Sequence, residues 1–136
     1  MTNAQAILVE IAPGELIDKI TILEIKSQRM TDPVKLANVR TELALLMETW
    51  QSSPWSAADI GAEWAGLRAV NEKLWVIEDE IRDKERDARF DQEFIELARA
   101  VYVTNDERAT IKKRINTRLG STLVEEKSYA DYPPKS

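Results

Sequence analysis

The 136-residue sequence contains no cysteine and no histidine. The first absence removes disulfides, thiolate nucleophiles and sulfur-ligated metal sites; the second removes the commonest protein metal ligand and the commonest general base at neutral pH. Zinc sites and His-dependent triads are therefore excluded. No run approaches the roughly 18 apolar residues that suggest a membrane span, and the opening stretch MTNAQAILVEIAPGE carries no basic segment ahead of its short apolar run, unlike a secretory signal. We expect a soluble, cytoplasmic protein without membrane attachment. Nor is positive charge in excess: 19 basic against 24 acidic residues give a net charge of −5. That balance disfavours nucleic acid as a partner, because phosphate neutralisation needs a clustered basic surface. The one local cluster, Arg108, Lys112, Lys113, Arg114 and Arg118, is read most simply as a solvated helix face whose cations meet the negative end of the helix dipole.

What is present is helical patterning, and the length fits one domain over 1–136. The fold class expected is mainly α: an antiparallel bundle of about four helices at 14–30, 33–50, 57–88 and 91–119, a short N-terminal strand at 6–11, and an extended C-terminal arm at 120–136. Ile7, Val9 and Ile11 alternate and are β-branched, which suggests the strand, with Thr122 to Glu125 or another copy of the chain as possible partners. Leu16, Ile20, Leu23 and Met30 give the first helix its seam, while Ile17, Ile22 and Ile25 spread apolar character around its girth. It is therefore either a central helix or a subunit contact. Thr31 or Asp32 caps the second helix ahead of Pro33, and Leu36, Val39, Leu43, Leu46 and Trp50 form its stripe. Ser56 and Asp59 imitate a capping box for the third helix, whose seam is Leu67, Val70, Leu74, Ile77 and Ile81. Asp91 caps the fourth, with Phe90 stapling onto Ile95. Phe94, Ala98, Val101 and Tyr102 are its buried positions. Thr104, Asn105 and Asp106 are poor interior helix residues and suggest a kink, and Gly120 suits a left-handed stop. The third and fourth helices outrun the first two, so their far end needs cover from a second copy, the tail or curvature.

The candidate site comes from polar residues on or beside the apolar seams. Asn71, Glu78 and Glu85 recur at heptad spacing on the third helix, and Asn105, Arg108 and Lys112 at helical spacing on the fourth. If the two fold back about residues 89 and 90, Asn71 is level with Arg108, and Asn71, Asn105, Arg108 and Lys112 line a cleft. Two cations and two amides suit a small anion, Arg108 gripping it in bidentate fashion and Lys112 as a point charge. Trp75, Glu78 and Arg82 stand beside them as supporting residues. Glu15, Asp18 or Glu72 are the internal carboxylates that would neutralise the same cations instead.

The acidic run IEDEIRDKERDAR at 77–89 is accounted for by i to i+4 pairs, Glu78 with Arg82, Glu80 with Lys84 and Glu85 with Arg89. A magnesium site at Asp79, Glu80 and Asp83 would need a second, facing acidic motif that the sequence does not offer. We expect no metal and no cofactor. Trp50, Trp55 and Trp64 bracket the loop QSSPWS and are read as a cluster covering one end of the helices.

The strings PGELIDKITILEIK (13–26), VNEKLWVIEDEIR (70–82), FDQEFIELARAVYVTNDERATIKKRIN (90–116) and GSTLVEEKSY (120–129) resemble, in order, a small bacterial all-helical domain family of unknown function. That resemblance implies a stand-alone bacterial protein, brings no catalytic residues, and draws attention to Asn105, Asp106, Arg108 and the segment from Glu125 to Tyr129. A second outline, Ile17-Asp18 and then Asp32-Pro33-Val34 with Arg40, is similar to the all-helical chorismate mutases, but Gly14 stands where that family has its leading arginine. The sequence thus points to an uncharacterised accessory protein, non-catalytic, forming a homodimer or engaging a protein partner. The alternative is a binding protein or enzyme for a small anionic metabolite such as a sugar phosphate. Whether the chain is an enzyme is not decided at this stage, and no residue is singled out as catalytic.

Overall fold

A computed structural model describes residues 6–129, 131 and 132. Among them are four helices and no strand: α1 (Pro13–Arg29), α2 (Pro33–Gln51), α3 (Gly61–Arg86) and α4 (Gln92–Leu119). The mainly α expectation holds. The N-terminal strand does not form, because residues 6–11 lie extended with Ile7, Leu8 and Val9 at 89%, 92% and 73% exposure. β-Propensity reports fit to a half-buried, paired surface rather than an intrinsic backbone choice, and no neighbour supplies that surface here.

α1 has no side-chain cap; Ala12 precedes it and Pro13 opens it. Its first turn is instead held from outside, by a hydrogen bond from the Gly14 N–H to Oδ1 of Asn116 at 2.7 Å. Asp32 caps α2, accepting from the Val34 and Lys35 N–H groups. α3 starts at Gly61, four residues later than the periodicity predicts. Residues 53–58 close turns of their own through the Ser56 and Ala58 N–H groups, so the Ser56–Asp59 capping box is not made; Asp59 only accepts from Gly61 at 3.5 Å. Asp91 caps α4 through Phe94 N–H. Phe90 makes an edge-to-face contact with Phe94, centroids 5.2 Å apart.

α4 runs unbroken through 104–106. The weak helix propensity of Thr104, Asn105 and Asp106 is outweighed by packing: Thr104 is buried, and the Asp106 carboxylate pairs with Lys127 on the arm. Gly120 ends the helix at φ 68°.

α1 packs on all three other helices, whereas α2 lies along α1 and meets α3 through Trp50 at the loop end. The apolar girth of α1 is thus covered within the chain, and α1 is the central helix. Its Leu16, Ile17 and Ile20 meet Trp50 of α2, Ile60 and Leu67 at the start of α3, and Ile115 of α4, each fully buried side chain contributing about 1.5–3 kcal/mol. Trp50 and Trp64 stack edge to face with centroids 5.7 Å apart and Trp55 packs beside them, forming the tryptophan cluster at the loop end. At the opposite end the cover runs out. No residue of α4 before Thr104 is fully buried, and beyond Ile77 on α3 only Lys84 is.

Candidate functional site

Where α1, α3 and α4 meet, polar side chains enter the interior. Asp18 and Thr21, one turn apart on α1, both accept from the Asn71 amide nitrogen, at 2.8 and 2.9 Å. Asn71 lies on the same stripe as Leu67 and Leu74, and that stripe faces α1 as well as α4. The level rule fixes its height correctly but not its direction, so the amide answers α1 instead of reaching the α4 cations.

Lys112 is the centre of a second set. Its ammonium lies 2.6 Å from Glu15, 3.0 Å from Glu125 on the C-terminal arm and 3.8 Å from Asp18. Burial alone would lower the Lys112 pKa, but the hydrogen bonds it donates to Glu15 and Glu125 and the charges of Glu15 and Asp18 outweigh it and hold the ammonium above its ordinary value. The reciprocal effect operates at Glu15. Its burial opposes ionisation, yet the Lys112 hydrogen bond and charge, with Lys19 and Arg108 further off, keep its carboxyl below the usual range. Lys112 therefore belongs to an internal network rather than to an open anion site. That outcome was legible in Glu15 and Asp18; Glu125 was not, because nothing in a sequence tells where an extended arm docks. Glu72, the third carboxylate considered, instead takes Arg29.

Arg108 behaves differently. Among the described residues it makes no ion pair within 4 Å and no side-chain hydrogen bond, and it lines a cavity of about 260 Å³ at the junction. Ile22, Ile25, Leu74 and Trp75 form apolar walls; Asn71, Glu78 and Asp79 complete the lining. Of the seven residues singled out from sequence, Asn71, Trp75, Glu78 and Arg108 thus share one concavity. Asn105 and Lys112 do not border it, and Arg82 stands outside, exposed and paired with Glu78 at 3.3 Å. Ile22 and Ile25 carry a signal in the sequence as apolar residues off the α1 seam, but that signal implies only a general need for cover. Asp79 was considered only as a metal ligand, and among the described residues no group of three acidic side chains is placed to hold a metal ion.

Two other concavities contain cations that are paired within the chain. An open groove of about 750 Å³ beside Trp50 and Trp64 contains Arg68, which bonds Gln28 at 2.6 Å and lies 3.8 Å from Glu24. A hollow of about 330 Å³ beneath the arm contains Lys112 and Lys127, both bound to carboxylates. The acidic run also pairs differently from the i to i+4 scheme: Glu78–Arg82 forms, but Lys84 turns to Asp91 and Glu93 at 3.0 Å each, bracing the α3–α4 turn.

The chain belongs to a family of unknown function, DUF6165, whose family model matches residues 7–134. No curated protein and no solved structure matches the chain. No helix among the described residues is long and apolar enough to cross a membrane.

Proposed function

We propose that this member of a family of unknown function is a binding protein for a small anion, held in the α1–α3–α4 cavity by Arg108. The observation that carries the reading is the guanidinium without a carboxylate partner among the described residues, placed against a concavity with apolar walls and a rim that includes Glu78 and Asp79. An arginine taken partly out of water normally finds an internal acid, as Lys112 does with three; one that does not is available to a ligand carboxylate or phosphate. Thermal unfolding with a panel of carboxylates and phosphates tests it, since a ligand at 100 times its dissociation constant adds about 2.7 kcal/mol. Stabilisation of the parent but not of Arg108→Gln is expected. No stabilisation by any anion removes the reading.

A second reading rests on the uncovered end of the α3–α4 pair, where Ile81, Phe94, Leu97 and Val101 are only half-buried and Phe90 and Ile95 are exposed. A second copy laid against that end would complete a four-helix layer and give the homodimer expected from the excess length of these helices. Sedimentation equilibrium would then give twice the 15.5 kDa of one chain, and Ile95→Glu would return it to one chain with helicity unchanged.

A further inference from the structure

Resting on the anion-binding reading, the lining of the same cavity narrows the ligand: we infer that the site takes a zwitterionic α-amino acid with an apolar side chain. Three observations converge. First, Arg108 is the only cation in the lining, whereas Glu78 and Asp79 contribute two carboxylates. A phosphate or dicarboxylate would bring a second negative charge into a wall already carrying surplus negative charge, and like charges disfavour it. Glu78 is partly neutralised by Arg82, which leaves Asp79 as the uncommitted acid.

Second, Arg108 and Asp79 border one cavity without pairing, either with each other or with another described residue within 4 Å. Two opposite, unpaired charges bordering one concavity suit a molecule that carries a carboxylate and an ammonium on the same carbon. An α-carboxylate on Arg108 and an α-ammonium toward Asp79 meet that requirement, and neither a simple anion nor a simple amine does. Third, the remaining walls, Ile22, Ile25, Leu74 and Trp75, offer no polar side chain beyond Asn71. They suit a branched or aromatic side chain, and the volume of about 260 Å³ sits at the small end of ligand pockets. Apolar walls beside the half-buried Arg108 also strengthen its contact with a carboxylate by limiting water there.

Isothermal titration of the full chain with leucine, phenylalanine, 4-methyl-2-oxopentanoate, isopentylamine and inorganic phosphate tests the inference. The oxo acid lacks the ammonium of leucine, and the amine lacks its carboxylate. Expected are saturable binding of leucine or phenylalanine, and at least about tenfold weaker binding of the oxo acid, the amine and phosphate, the size of one charge-assisted contact. Arg108→Gln should weaken the amino acid by about tenfold or more. Asp79→Asn, at an exposed position, should weaken it by a few-fold while leaving the oxo acid unchanged. An oxo acid or phosphate that binds as tightly as leucine and depends on Arg108 overturns the amino-acid assignment and leaves the anion reading standing. Absence of binding by leucine and phenylalanine overturns the amino-acid assignment, and binding indifferent to Arg108→Gln in a variant of unchanged helicity overturns both.

Discussion

Asn116, near the end of α4, accepts the backbone N–H of Gly14 at 2.7 Å, a contact that spans 102 positions of sequence and substitutes for the missing cap of α1. A Cβ on residue 14 would fall 2.5 Å from the Lys112 carbonyl oxygen and 2.9 Å from Asn116 Oδ1. Gly14→Ala should therefore cost about 2 kcal/mol through overpacking against backbone. Asn116→Ala should cost about 1–2 kcal/mol by orphaning a buried N–H. Because both act on one contact, the double variant should lose less than the sum, as read from urea unfolding midpoints. The same closeness explains why the chorismate mutase outline fails here: an arginine has no room at this position.

Lys112 and Arg108 stand one helical turn apart but differ in what their removal leaves behind. Lys112→Met strands Glu15, Asp18 and Glu125 around a lost ammonium. It should destabilise by about 2–3 kcal/mol, below the 3–5 of a wholly buried pair because Glu15 and Glu125 reach solvent. Arg108→Gln removes no internal partner and should change stability by less than about 0.5 kcal/mol. Chemical denaturation of the two variants side by side checks the distinction.

Stability should be flat near neutrality and fall at both extremes of pH. Glu15 and Glu63 have folded pKa values below 4.5, Glu15 against its own burial through Lys112 and Glu63 through the Arg118 hydrogen bond. Their contribution is present above 4.5 and is lost as pH falls through the lowered values. Lys112 is raised above 10.5, so its contribution is present below 10.5 and is lost as pH rises through the folded value. Glu15→Gln should shorten the acid limb of a plot of unfolding midpoint against pH.

Asp32 and Asp91 both cap helices, yet Asp91 also binds Lys84 across the α3–α4 turn. Asp32→Ala should cost about 1 kcal/mol, and Asp91→Ala should lower the unfolding temperature further than Asp32→Ala does.

Ala88 holds φ 52° in the same turn. The left-handed region costs a residue with a Cβ about 1–2 kcal/mol. Ala88→Gly should stabilise by about 0.5–1 kcal/mol after allowing for glycine's extra freedom in the unfolded chain, seen as a rise in Tm.

Features written in local chemistry were readable from the sequence: the caps at Asp32 and Asp91, the stop at Gly120, the apolar seams, and the tryptophans around the loop. Features that depend on what lies opposite were not. Ile7 to Ile11 has strand composition but pairs with no other segment among the described residues, and the contact of Phe90 with Phe94 is not one that the spacing singles out. At the candidate site, antiparallel register placed Asn71 and Arg108 level with each other. It could not say that Asn71 would be claimed by Asp18 and Thr21, that Glu125 would return to Lys112, or that Asn105 would stand apart. Those outcomes depend on the rotation of each helix about its own axis and on the path of the arm, which spacing alone does not encode.

Because α2 lies along α1 and reaches α3 through the tryptophan contact at the loop end, detaching it breaks those contacts while α1, α3 and α4 stay together. Amide exchange in the native state would therefore sort the chain into two tiers, with α2 opening sub-globally at lower free energy and the trio that frames Arg108 yielding only when the whole molecule unfolds.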